Sequence, residues 1–255
     1  MADCDLNKLD IRFPITDEER EVLGSKGERL NISVANVLGR RIVTGGLPQD
    51  YLLPKEKELW ELFGVSRTVL REAVKALVEK GIIRTKQKAG TLVNPRCEWN
   101  LFDKDILAWM FEKEVDKKLL HDIVELRSSI EPAVVKLAAI RATDEDIKAI
   151  GEAFHKMASS ETPEEHSEAD VCFHMAIFDA CKNEMLLQFK TVIKTILESS
   201  FRIQHKSSFN SEAGVDLHKK ILDRIKDRDA DGAEVFMKYI IIKAKDELEE
   251  NLCED

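Results

Sequence analysis

Two groups of residues in this 255-residue chain have the types and spacing to do chemistry. The first is cationic: Arg67, Arg71 and Lys75 recur every fourth residue, which on a helix makes one stripe. Leu70, Ala73, Val74 and Leu77 fall on the opposite face, where they can hold that helix against a core. The second group is a set of ligand atoms. Asp170 and His174 are four apart, so both side chains leave the same helix face, and His218 opens another helix that can approach them across a bundle core. One carboxylate oxygen and two imidazoles are reasonable donors for Zn²⁺, Ni²⁺ or Mn²⁺. Each group also has a plainer reading, as a solvated basic face or a surface i,i+4 pair. His121, His155, His166 and His205 take that plainer reading, as capped or surface residues.

The cationic stripe needs a scaffold to present it. Pro54 opens a short helix at a position where its missing N–H costs nothing, Gly64 makes a tight turn, and Ser66 caps the next helix. An earlier helix spans Asn31 to Thr44 and ends at Gly45-Gly46. Gly81 breaks the chain after the third helix. Ile82 to Val93 then has β-branched ends around a polar, glycine-containing middle, which predicts a hairpin wing with Lys86 and Lys88 at its tip. An exposed basic stripe on a helix-turn-helix is what reading a DNA major groove requires. Ser66 and Thr68 lie at the positive end of the stripe's helix, where hydroxyls and backbone N–H groups can hold phosphate.

The charge distribution agrees with that reading. The net formal charge is −9, yet residues 29–96 hold 13 Lys/Arg against 6 Asp/Glu, leaving 26 basic and 42 acidic residues elsewhere. A basic module joined to an acidic one suits a protein that meets phosphate with one half only. The five cysteines share no CxxC spacing, no apolar run approaches the roughly 20 residues of a membrane span, and the N-terminus is acidic. A reducing cytoplasm is the expected compartment.

Residues 1–28 read as an extension or a short extra helix, 29–95 as the winged helix-turn-helix domain, and 96–255 as an all-helical bundle for effector binding and dimerisation. Helices are expected near 103–113, 116–141 (with Pro132 inside, a predicted kink), 143–158, 164–182, 184–205, 212–228 and 230–251. Asp116, Thr143 with Asp146, and Thr162 before Pro163 supply caps.

The first domain resembles the winged-helix domain of GntR-family bacterial transcription regulators. Leu53-Pro54, Glu56, Glu58-Leu59, Val65-Ser66-Arg67, Leu70-Arg71-Glu72-Ala73, Leu77, Gly81 and Gly90-Thr91-Leu92-Val93 carry the likeness. The remainder is similar to that family's FCD-type effector domain through Glu125-Leu126-Arg127, Glu131-Pro132, Asp170-Val171-Cys172-Phe173-His174 and His218-Lys219-Lys220-Ile221-Leu222. Glu98-Trp99-Asn100, Asp103, Asp105-Ile106-Leu107, Trp109, Ala138-Ala139 and Arg141-Ala142-Thr143 resemble the galactonate-operon repressors of the family.

That resemblance implies DNA contacts at Lys57, where the family commonly has Arg, and at Arg67 and Arg71; Ser66, Thr68, Lys75, Lys88 and Gly90 complete the expected set. It implies a metal on Asp170, His174 and His218. The family's further His, three residues after a Met of the last helix, is Ile240 after Met237 here. Arg127 is the candidate to grip an effector carboxylate, with a helix–helix salt bridge as its other reading, and a metal-free polar pocket stands beside the metal centre. The expected function is a homodimeric repressor on an inverted-repeat operator in double-stranded DNA, released by a small carboxylate such as a galactonate-like sugar acid. The alternatives are a metal-dependent helical-bundle enzyme, although HExxH, P-loop and GxSxG motifs are all absent, and an effector-independent architectural DNA-binding protein.

Overall fold

A computed structural model describes residues 15–24, 29–86, 90–112, 117–203 and 212–251. The chain separates into two compact units, Met1–Leu101 and Phe102–Asp255.

In the first unit, α1 (Asp17–Gly24) opens with Thr16 and Glu19 bonding each other's backbone N–H groups, and the Glu19 carboxylate grips Arg41 on α2 (Leu30–Val43). That helix occupies part of the predicted extension. The apolar side of α2 (Val34, Ala35, Val37, Leu38, Ile42) packs against Leu70, Ala73 and Leu77 of α4 (Arg67–Glu79). Helix α3 (Glu56–Phe63) packs on α4 and buries Leu59 and Phe63. Pro54 lies outside α3, because the extended Lys55 is the N-cap and its N–H donates to the Glu58 carboxylate at 3.1 Å. Gly64 ends α3 at φ 64°, a left-handed conformation that a Cβ would strain. The Ser66 hydroxyl accepts from the Val69 N–H at 3.3 Å and starts α4.

The wing is a two-stranded antiparallel ribbon, β1 (Ile83–Lys86) and β2 (Gly90–Val93), in the register Ile83 to Val93 and Lys86 to Gly90. Its tip residue Lys88 lies outside the described residues. The predicted linker at 94–96 is not a free connection. The buried Asn94 side chain donates to the Gly81 carbonyl at 2.7 Å, its carbonyl accepts from Trp99 Nε1 at 3.0 Å, and the Asn100 N–H donates to the Lys80 carbonyl. These bonds tie residues 96–101 to the first unit, which runs to Leu101.

The second unit is helical: α5 (Lys104–Met110), α6 (Lys117–Arg141), α7 (Asp144–Ala158), α8 (Pro163–Ala180), α9 (Glu184–Leu187), α10 (Lys190–Ile203), α11 (Glu212–Lys226) and α12 (Ala230–Asn251). Thr143 with Asp146 and Thr162 with Glu165 form the expected caps, whereas Asp116 lies outside the described residues. The predicted helix 184–205 is instead two helices. Gln188 and Phe189 make tight i→i+3 bonds that end α9, and the Phe189 ring meets Phe102 edge-on at 5.8 Å. Helix α6 runs through Pro132 and packs on α8, α11 and α12. A continuous core results, with Val134, Val135, Ala138, Phe173, Ile177, Ile193, Ile221, Ile225, Met237 and Ile241 fully or nearly fully buried.

Candidate functional site

In the first unit, Lys57, Ser66, Arg67, Thr68, Arg71 and Lys75 are all exposed, and Gly90 is exposed at the start of β2. Leu70, Ala73 and Leu77 hold the opposite face of α4 in the core, so the cations face outward. They do not stand alone. The Arg71 Nε donates to Glu56 Oε1 at 2.6 Å, raising the arginine's pKa through that hydrogen bond, and the Arg67 guanidinium lies 4.0 Å over the Trp60 ring. Lys57 and Lys75 sit 3.9 Å from Glu61 and Glu79. The three ion pairs are exposed, and such pairs are worth only about 0–1 kcal/mol, so they can be exchanged for a stronger anion. Stacking on Trp60 presents the flat Arg67 fork, the geometry that suits the O6/N7 edge of guanine.

In the second unit, α8 places Asp170 and His174 on one face, and α11 brings His218 to them from its interior, because the helix starts at Glu212 and not at His218 as expected. His218 Nε2 lies 2.7 Å and His174 Nε2 3.9 Å from the two oxygens of Asp170, and the three donor atoms fall within 4.8 Å of one another. All three residues are buried, and Phe173 walls the group edge-on, its ring 5.1 Å from that of His218. Ile240, where the resemblance would place a further histidine, is buried in the apolar core.

Helix α6 adds a residue that sequence reading did not place in the site. Glu131, 1% exposed, sits four residues after Arg127 and accepts from its Nε at 2.6 Å through Oε1. Its other oxygen lies 2.6 Å from His174 Nδ1. Arg127 is therefore paired within its own helix, and the ion pair that crosses from α6 to α8 is Glu131–His174. Among the described residues Glu131 is the one acceptor bonded by the Arg127 side chain, whose outer fork is otherwise without a protein partner although the residue is 4% exposed. The i,i+4 spacing of Arg127 and Glu131 was a visible signal; the crossing to His174 was not. His166 lies one turn before Asp170, half-buried, with its Nδ1 3.3 Å from the Ser160 hydroxyl, and burial lowers its pKa.

The electrostatics are those of alternating charge. Burial alone would raise the Glu131 pKa, but the charges of Arg127 and His174 hold it at about 2. Burial opposes protonation of His174, and the Glu131 carboxylate outweighs it and raises that pKa. Asp170 is likewise held below the usual carboxylate range against its burial, by His218 first and then His174. The 2.6 and 2.7 Å contacts lie off the ideal hydrogen-bond direction, so Glu131 Oε2, His174 Nδ1 and His218 Nε2 are buried without a well-aligned partner among the described residues. A donor set under that strain, with two imidazoles and a carboxylate turned inward, fits a divalent metal.

A winged helix-turn-helix with an outward basic stripe, and a separate helical unit built around a buried polar cluster, define a DNA-binding regulator with a sensing domain. The gntR family of bacterial regulatory proteins matches residues 31–93, and the FCD domain matches residues 122–242. The galactonate operon transcriptional repressor of Escherichia coli K12 is 35% identical over 199 residues, which cover 77% of this chain and 87% of that protein. The Glc operon transcriptional activator of the same organism is 30% identical over 194 residues, 70% of this chain and 75% of that one. The solved structure of Lar, described as controlling the Listeria monocytogenes agr system, has the same fold at a TM-score of 0.61 and 18% identity, covering 89% of this chain and 99% of Lar. The chain belongs to the GntR family of transcription regulators and carries an FCD effector domain; it is not an enzyme. Among the described residues no helix is long and apolar enough to cross a membrane.

Proposed function

We propose that the protein is a homodimeric repressor of a catabolic operon, released from its operator by a small carboxylate of the sugar-acid class. In this reading residues 29–95 bind DNA, and 96–255 bind the effector and make the dimer. Two copies of α4 read half-sites of an inverted repeat about one helical turn apart. Arg67 and Arg71 contact guanine edges, while Lys57, Ser66, Thr68, Lys75, Lys88 and Gly90 position the backbone.

The observation that carries the effector half is Arg127: a buried guanidinium whose one bonded acceptor among the described residues is Glu131, in the unit that also holds Asp170, His174 and His218. Its outer fork suits a planar carboxylate. Asp170, His174 and His218 would hold one divalent ion (Zn²⁺, Ni²⁺ or Mn²⁺), which when bound supplies a Lewis-acid seat for a hydroxyl or carboxyl oxygen. With three protein donors and Ile240 at the fourth position, coordination is left open for such an oxygen. The galactonate operon repressor among the relatives supports the sugar-acid class. Release follows if the ligand binds the DNA-competent arrangement less well than the other, and the operator then weakens ligand binding by the same factor.

A thermal-shift screen of aldonates and uronates, with and without EDTA, combined with operator gel shifts, tests the reading. Stabilisation by a carboxylate that EDTA weakens and His174→Ala abolishes is expected, with loss of specific binding in Arg71→Ala. No stabilisation by any carboxylate would favour the effector-independent alternative, and wild-type operator affinity in Arg71→Ala would remove α4 as the reading helix.

A further inference from the structure

We propose that Glu131 is a positioning residue that joins the anion seat to the cation seat, fixing which nitrogen of His174 can ligate a metal. The inference rests on the metal reading above. A carboxylate oxygen 2.6 Å from Nδ1, in a site where both residues are at most 2% exposed, is repelled by a lone pair and attracted by an N–H. Nδ1 therefore keeps its proton against the carboxylate, and Nε2, which faces Asp170, is the nitrogen a metal would take, displacing any proton it carries. His218 is arranged the same way by a different group. Its Nδ1 donates to the Gly214 carbonyl at 2.8 Å and its Nε2 faces Asp170 Oδ1 at 2.7 Å, so a metal entering the site takes Nε2 and displaces any proton there. Both imidazoles thus turn the same nitrogen inward, and an acceptor behind each ring holds it there, the arrangement that orients ligating histidines.

Glu131 differs from Gly214 in serving two masters. Its second oxygen holds Arg127 Nε, which leaves the outer guanidinium fork as the free edge. Moving this carboxylate would disturb the histidine on α8 and the arginine on α6 together. Metal and carboxylate affinity should accordingly fall together when Glu131 is changed, although it touches neither ligand.

The test titrates Zn²⁺ alone against a competing chelator for wild type and Glu131→Gln, and records long-range ¹⁵N–¹H spectra of histidine-labelled, Zn²⁺-loaded protein. Glu131→Gln should weaken Zn²⁺ binding about 10- to 100-fold, and wild-type His174 should show Nδ1 protonated and Nε2 bound. Zn²⁺ affinity within about twofold of wild type, or a His174 bound through Nδ1, overturns the assignment and leaves the metal site standing. Wild-type protein that takes up no Zn²⁺ overturns the metal reading and this assignment with it. Should Glu131→Gln fail to fold, Glu131→Asp draws the carboxylate back by one methylene while keeping its charge, and the same two outcomes apply.

Discussion

Arg127 and Glu131 are a buried ion pair, and Glu131 also faces His174. Removing one partner strands the other, so the two removals should not add. Arg127→Ala strands a buried carboxylate and is expected to destabilise the protein by about 3–5 kcal/mol, whereas Arg127→Ala with Glu131→Ala should cost less than the sum of the two single changes. Urea unfolding of the three variants checks this. The pH dependence follows from the same carboxylate. Its pKa falls from an ordinary 4.5 to about 2 in the folded protein, so its contribution is present above pH 4.5 and lost as pH falls toward 2. The His174 pKa is raised, so its share is full below about 6.5 and fades as pH rises through the folded value. Glu131→Gln should therefore lose most relative to wild type between about pH 4.5 and 6.5, on the order of 3 kcal/mol, with the gap closing at more acid pH in chelator-containing unfolding experiments. At this scale the sequence was half legible. Asp170, His174, His218 and Arg127 announce themselves by type and spacing, but Glu131 joins them only because α6 crosses α8, and no local pattern encodes a crossing.

The elements were more legible than the contacts between them, since caps and breakers act locally. Ser66, Gly64, Thr143 with Asp146, and Thr162 before Pro163 all mark helix ends by chemistry within three or four residues. The division of 184–203 into α9 and α10 escaped because no Gly or Pro marks it; it is made by i→i+3 bonds at Gln188 and Phe189. Likewise, the bonds of Asn94 and Asn100 across the base of the wing join residues that are distant in sequence. Gly81 lies beneath that junction at φ 76°, and a Cβ there would come within 2.3 Å of the Glu98 carbonyl oxygen. Both the sign of φ and the clash are with backbone, so Gly81→Ala should destabilise the first unit by more than the roughly 1 kcal/mol of an ordinary glycine substitution. Hydrogen exchange should show the loss concentrated in β1, β2 and residues 94–100. Unchanged protection there would mean the chain relaxes around the methyl group.

Across the whole molecule, the −9 net charge conceals a basic unit that must approach a polyanion alongside an acidic one. Operator affinity should fall steeply with salt, with a log–log slope near −0.9 per phosphate neutralised, and each phosphate-contacting lysine removed should reduce the slope by about one. Arg71 should depart from that simple count, because it arrives already neutralised by Glu56. Engagement with DNA is then a swap of anions, and the displaced carboxylate is left facing a field of phosphates. Random sequence, which offers no guanine edge in the right place, gives little in return for the swap; a correct half-site does. Glu56 would thus act as a resident competitor that every productive encounter must displace. Glu56→Gln is expected to tighten binding to the operator at least as much as binding to random DNA, because only the operator complex breaks the pair in full, and parallel titrations on the two DNAs at one salt concentration would show it.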